Sequence, residues 1–357
     1  MMNQIIPFFS IVIPIYNVSR FVDSGLKFIL DQIYEDYEIL LIDDGSTDDS
    51  KDKCDYVERL HSNIHCYHQD NKGSGPARNL GIEKAKGKYI CFFDIDDKID
   101  DDFLSRCYKL LVDNCEPDVL MFSYDSYDVK YKSLTSVVFS ELKCQSNQDI
   151  RENYVEHLSG IENVNGFVWN KIYKRQFLLD NSLSFPALLI QQDEVFNLHV
   201  YRKARSLVVS PEILYHYFVY DKGNTRSRYI ENRLKIYQTV KDEFLSLYDY
   251  WKLEDKRMLA YVYNRYFNSI IGTLNFNNNH KDSPLCKVER DKELKSIIND
   301  AETQECLEKL DELGASPKNG FDRYYYNAIR ERNVVKYKLL RALHLNLQTI
   351  KRRLKGI

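Results

Sequence analysis

Residues 10–44 read SIVIPIYNVSRFVDSGLKFILDQIYEDYEILLIDD. The segment opens on SIVIPIY (10–16), a run of β-branched and apolar residues of the kind that forms a buried strand. Over 21–34, Phe21, Leu26, Ile29, Leu30 and Ile33 then fall near helical spacing. YEILLIDD (37–44) returns to the strand pattern. Strand, helix, strand with short connections is the unit of a parallel sheet.

The alternation continues. Ser46, with Asp49 three residues later, reads as a capping box opening a second helix. NIHCYH (63–68) is a third strand. GPARNLGIEKAKG (75–87) is a helix with Pro76 at its first position and Gly87 as its stop. KYICFFD (88–94) and DVLMFSY (118–124) are the fourth and fifth strands, with the helix DDFLSRCYKLLVDN (101–114) between them. The expected fold class is α/β, a mostly parallel Rossmann-like sheet flanked by helices. Two helical stretches, 166–181 and 188–204, and a strand-like segment at 206–220 follow. From 229 the pattern is helical to the end, so a domain of 1–228 and a helical C-terminal region of 229–357 are expected. The first divides into halves of 1–125 and 126–228. The boundary falls in DKGNTRSRY (221–229), which carries turn residues and basic side chains.

Composition narrows the function classes. The chain has 357 residues, 44% hydrophobic and 29% charged, enough for a substantial core. A net charge of −3 offers no global basic field for nucleic acid. The eight cysteines include no CxxC pair. They read as reduced core residues of a cytoplasmic protein, and their spacing predicts no zinc site. The apolar N-terminus lacks a basic n-region and a small-residue cleavage site. No apolar run is long enough to span a bilayer.

In open α/β sheets, ligands bind beyond the carboxyl ends of the strands. At those ends stand Pro14 and Tyr16, then Asp43 and Asp44, then Asp94, Asp96 and Asp97. In FFDIDDKIDDD (92–102), Asp100 to Asp102 precede a helix and suit its positive end. Asp94 and Asp96 instead follow a buried strand. Two carboxylates ~5 Å apart repel by roughly 3 kcal/mol at an effective dielectric of about 20. Such a pair calls for a cation or a retained proton, and oxygen ligands suit Mg2+ or Mn2+.

The ordered set IVIPIYN, EILLIDDGSTDDS, NKGSGPARNLGIEKAKGKYI and FFDIDD resembles the family 2 inverting glycosyltransferases, with their GT-A fold. The resemblance covers about residues 8–125 closely and 165–228 more loosely. It implies that Pro14 and Tyr16 lie against a nucleotide base, with a packing role for Tyr16 as the alternative. It implies that Asp44, or its neighbour Asp43, bonds uracil. Asn71 and Arg78 match the N-x-G and A-R-N positions of the nucleotide site. Asp94 and Asp96 take the ribose and metal contacts, with Mg2+ or Mn2+ as cofactor. QQDEVFN (191–197) aligns with the family's acidic motif and puts Asp193 at the catalytic base, with Glu194 as runner-up. Two departures stand out: Gln192 replaces the usual Glu, and Phe218 stands where an arginine is expected. Lys222, Arg226 or Arg228 would then supply that charge; His216 is a metal or phosphate contact or a packed strand residue.

The implied partners are a UDP-sugar donor and a glycan or lipid-linked acceptor in surface polysaccharide synthesis. The alternative is a non-catalytic nucleotide-sugar-binding or scaffold protein. VVKYKLLRALHLNLQTIKRRLKGI (334–357) has seven Lys or Arg and no acid, with Leu340, Leu343, Leu347, Ile350 and Leu354 at alternating spacings of three and four. It reads as a basic amphipathic helix that docks on an anionic membrane surface, peripheral at its inner face, or packs on 229–332.

Overall fold

The structure is a computed structural model that describes residues 6–161, 166–220 and 228–354. The chain divides into two compact units, Met1–Asn224 and Thr225–Ile357.

In the first unit, β1 (Phe9–Ile15), α1 (Ser19–Leu30), β2 (Tyr37–Asp43), α2 (Ser50–Leu60), β3 (Ile64–His68), α3 (Ser74–Lys84), β4 (Tyr89–Phe92) and α4 (Phe103–Asp113) alternate in order. Then come β5 (Val119–Asp128), β6 (Ser133–Val137), β7 (Leu142–Cys144), α5 (Asn147–Asn153), β8 (Lys171–Lys174), α6 (Arg175–Asp180), α7 (Gln192–Lys203) and β9 (Leu207–Val219). The sheet order is β3-β2-β1-β4-β8-β5-β9-β7, with β6 paired to β5. β3, β2, β1 and β4 run parallel, β8 runs antiparallel to both its neighbours, and β5 and β9 are parallel. Every residue of β2 is buried, as expected of a strand covered on both faces.

Three local expectations are corrected. The helical reading of 166–181 holds only from Arg175; Lys171–Lys174 is a strand wedged between β4 and β5. Pairing on both edges outweighs the local periodicity there. The second helix starts at Ser50, not at Ser46. The Ser46 amide donates to Asp43 Oδ1 at 3.0 Å and its hydroxyl accepts from the Asn17 amide, so Ser46 belongs to the loop. α3 starts at Ser74, which puts Pro76 third rather than first.

The acids before α4 do not cap it through their side chains. The Leu104 amide is instead taken by Gln32 Oε1 at 2.9 Å, while Gln32 Nε2 donates to the Asp100 carbonyl at 2.6 Å. α1 also packs tightly against the loop after β4. A Cβ on Gly25 would come within 2.1 Å of the Ile95 carbonyl oxygen, so only glycine admits this approach.

The second unit is helical among its described residues: α8 (Arg233–Tyr250), α9 (Lys256–Gly272), α10 (Lys287–Asn299), α11 (Ala301–Glu312), α12 (Gly320–Arg330) and α13 (Val334–Leu354). Its own core gathers Phe267, Ile270, Ile298, Leu310, Ile329 and Tyr337. No helix among the described residues is long and apolar enough to cross a membrane.

Candidate functional site

The carboxyl ends of β1, β2 and β4 lie side by side in the sheet, so the loops after them share one edge. After β1, Tyr16 is 40% exposed, leaving part of its ring available to a ligand. Pro14 is half-buried in the strand. Asn17 adopts φ 52° and its Oδ1 accepts from the Thr47 amide at 2.8 Å. Asn17 thereby ties the end of β1 to the loop after β2.

Asp43 and Asp44 are both buried. Asp44 Oδ1 accepts from Gln69 Nε2 at 2.7 Å and from the Lys72 amide at 2.9 Å; Oδ2 accepts from the Gly73 amide at 2.7 Å. Asp44 therefore organises the loop into α3. A carboxylate offers about four lone-pair sites, so one remains for a further donor. Asp43 accepts from the Ser46 amide and lies 3.0 Å from His68 Nδ1. Asn71 is exposed on the same loop, where its backbone nitrogen approaches Gly45, itself at φ 71°.

Arg78 sits in α3, 4% exposed. Its Nη1 donates to Asp193 Oδ1 at 2.7 Å and its Nη2 to Asp94 Oδ1 at 3.0 Å. Three residues far apart in sequence thus form one cluster. The flanking carboxylates hold the Arg78 guanidinium above its ordinary pKa, against the burial that would lower it. Asp193 lies in the first turn of α7, and burial raises its carboxyl above the usual range while Arg78 pulls it down. Its side chain remains 26% exposed.

The Gln192 side chain turns toward α3. Its Nε2 donates to Ser74 Oγ, stitching the start of α7 to the start of α3. Phe218 contributes backbone: its amide donates to Asp97 Oδ1 at 2.8 Å. Lys222 and Arg226 lie outside the described residues. His216 stands between Asp100 and Asp125 at 3.3 and 3.5 Å, as a strand histidine paired with acids.

The acidic strand end divides by environment. Asp94 is bound to Arg78. Burial, then repulsion from Asp94, push Asp96 up to about 6. Asp97 is 2% exposed and raised well above the carboxylate range by burial and by its two acidic neighbours. The Tyr215 hydroxyl donates to Asp97 Oδ2 at 2.8 Å. Both oxygens of Asp97 are taken, by Tyr215 and by the Phe218 amide, so the three acids do not converge on one ion; a reluctance of Asp96 to ionise is the feature that a nearby cation would relieve. Of the three, Asp96 could hold a cation, since Asp94 Oδ1 is already occupied by Arg78.

Sequence reasoning placed Asp97 at the strand end without a settled role, and missed Tyr215 and Lys171. Lys171 is fully buried, donating to the Phe167 carbonyl at 2.7 Å and to Asn170 Oδ1 at 2.9 Å. Burial lowers its ammonium to about 7, while Asp193 pulls the other way. A lysine inside an aromatic stretch carries no local signal of burial.

The family model described as Glycosyl transferase family 2 matches residues 10–167. The Putative glycosyltransferase EpsH of Bacillus subtilis is 28% identical over 65% of this chain and 68% of its own length. Glycosyltransferase GlyG of Streptococcus pneumoniae is 38% identical over 33% of this chain and 40% of its own. The Poly(ribitol-phosphate) beta-glucosyltransferase of Bacillus spizizenii is 28% identical over 72% of this chain, which spans only 40% of that protein. Among solved structures, S. aureus TarS 1-349 in complex with UDP-GlcNAc superposes with a TM-score of 0.65 at 19% identity, over 95% of this chain and 91% of that one. At that identity the likeness shows the shared fold.

Proposed function

Because the chain belongs to glycosyl transferase family 2 through residues 10–167, we propose that it moves a sugar from a UDP-sugar to a hydroxyl of a glycan or lipid-linked acceptor in surface polysaccharide synthesis, with inversion. The observation that carries the reading is the Asp193–Arg78–Asp94 cluster, which sets an acid of α7 beside the strand-end aspartates. TarS, whose structure is a complex with UDP-GlcNAc, supports the donor class, and the beta-glucosyltransferase supports sugar transfer.

In this reading Asp193 is the base. Arg78 holds Oδ1, so Oδ2 accepts the proton of the acceptor hydroxyl as that oxygen attacks the anomeric carbon. The new C–O bond forms as the bond to the diphosphate breaks. The nucleoside diphosphate leaves on the opposite face, which inverts the anomeric centre. Asp44 braces the loop that faces the base and offers its remaining lone pair to a uracil N–H. Tyr16 and Pro14 line the base, and Asn71 borders the same loop. Asp96, with support from Asp94, would hold Mg2+ or Mn2+, whose positive charge would offset that of the leaving diphosphate. Gln192 bonds Ser74 and the Phe218 amide bonds Asp97, so both departures serve the framework while Asp193 is retained, which weighs against a purely scaffold role.

The acceptor side is tied to the membrane. In α13, Tyr337 is buried and bonded to Asn275, yet Leu343, Leu347 and Ile350 are exposed in a stretch with no acid. That combination suits a peripheral contact with anionic lipid on the cytoplasmic face.

The test is a panel of UDP-sugars incubated with the full chain, Mn2+ or Mg2+ and a lipid-linked glycan acceptor, with UDP release as the readout. Asp193→Ala is expected to abolish transfer while UDP–Mn2+ binding persists. Transfer at the wild-type rate by that variant would overturn the base assignment.

A further inference from the structure

A second cluster of ligand-type side chains lies outside this site. Cys66 and His68 project from the same face of β3, two residues apart, toward α2, which supplies Asp55. One ligand atom from each of Asp55, Cys66 and His68 lies within 4.8 Å of the other two. We propose that these three residues form a zinc site, unrelated to the cation at Asp96.

The distances favour a shared ion. Cys66 Sγ lies 3.7 Å from His68 Nε2, and His68 Nε2 lies 2.8 Å from Asp55 Oδ1. A thiolate and an imidazole on one tetrahedral zinc stand about 3.6 Å apart, and an imidazole and a carboxylate about 3.3 Å. The sulfur–nitrogen pair is already at that separation, and the other opens by roughly half an ångström. The donor set also selects the metal: thiolate with imidazole suits zinc and not Mg2+ or Mn2+.

The surroundings supply the outer support that zinc histidines use. His68 Nδ1 lies 3.0 Å from Asp43 Oδ2, an acid 1% exposed, which fixes Nε2 as the nitrogen free for metal. Asp43 and His68 are partners in the β2–β3 register, so the backbone holds this bond. The Cys66 amide is anchored by Glu58 Oε1 at 2.8 Å. The three ligands are partly exposed, so an ion has access and a fourth position is open to water. On binding, the Cys66 thiol gives up its proton to solvent. The thiolate and the Asp55 carboxylate then neutralise the two charges of the ion.

The absence of CxxC spacing pointed away from zinc in the sequence. The fold overrides that by bringing a strand C-x-H pair against a helix carboxylate. The ion stands one hydrogen bond behind Asp43, whose other oxygen holds the Ser46 amide of the nucleotide-side loop.

The experiment measures metal content by mass spectrometry in the full chain purified from zinc-supplemented cells and dialysed. It is followed by Co2+ titration of the metal-free protein. One zinc per chain is expected, with a thiolate-to-cobalt absorption band. Cys66→Ser is expected to abolish the band, and His68→Gln to lower zinc content at least tenfold. Asp96→Asn should leave both unchanged, and circular dichroism checks that every variant is folded. Equal zinc content in the wild type and Cys66→Ser would overturn the site, as would loss of zinc in folded Asp96→Asn. Neither measurement reads transfer, so failure of the enzymatic reading would leave this one standing.

Discussion

Arg78 Nη1 donates to Asp193 Oδ1 at 2.7 Å, joining α3 to α7 across 115 residues of chain. Removing the guanidinium leaves two acids of the site without their buried counter-charge, at a cost of about 3–5 kcal/mol in stability or compensating protonation. It also removes the charge that lowers Asp193. A base must be deprotonated, so the rate rises with pH through its pKa. Arg78→Ala is therefore expected to shift the acid limb of kcat to higher pH as well as lower its maximum. A pH–rate profile checks this; an unmoved acid limb would mean that Arg78 does not set the base.

Asp96 sits at about 6 in the folded chain against 3.8 as its ordinary value. The folded state therefore binds the extra proton between these values, and stability falls as pH rises from about 4 to about 6. Asp96→Asn should remove that slope and raise metal-free stability at pH 7 by about 2–3 kcal/mol. The same variant should bind UDP–Mn2+ at least tenfold more weakly. Urea titrations at pH 4 and 7 without metal decide the first point, and calorimetry the second.

Lys171 moves the other way, from 10.5 to about 7. Between those values the unfolded chain binds more protons, so Lys171 makes stability rise with pH, and its burial cost is full below pH 7. Lys171→Met should flatten the dependence between pH 7 and 10. Chemical denaturation across that range is the measurement; an unchanged slope would show that Lys171 is not the group responsible.

Tyr215 donates to Asp97 Oδ2, and the Asp94 amide donates to Tyr215 at 3.2 Å. Tyr215→Phe leaves both partners short of a bond in a buried setting and should cost about 1–3 kcal/mol. Asp97 in that variant should hold its proton still more tightly. Thermal unfolding of the metal-free protein within error of the wild type would refute this.

The exposed leucines of α13 give a surface prediction. Full chain should co-sediment with vesicles containing anionic lipid and not with neutral ones. Leu343→Ser, Leu347→Ser and Ile350→Ser together should reduce recovery several-fold, because their apolar area drives insertion. Equal recovery would leave α13 as a packing helix only.

The sequence by itself determined the first five strands, because each is a short apolar run bounded by turn residues, and burial on both faces writes that pattern directly. It also determined where the acids stand, since Asp44, Asp94 and Asp96 follow such runs. It did not show that Lys171–Lys174 is a strand, because its pairing partners β4 and β5 lie elsewhere in the chain. Nor could it show that Asp97 is held by Tyr215, 118 residues away, or that Arg78 clamps Asp193. Cys66, His68 and Asp55 carry no recognisable spacing and meet only because α2 packs beside β3. Local pattern records which side of an element faces the core. Which distant side chains share a charge, a proton or an ion is decided by long-range pairing, and that is a property of the fold alone.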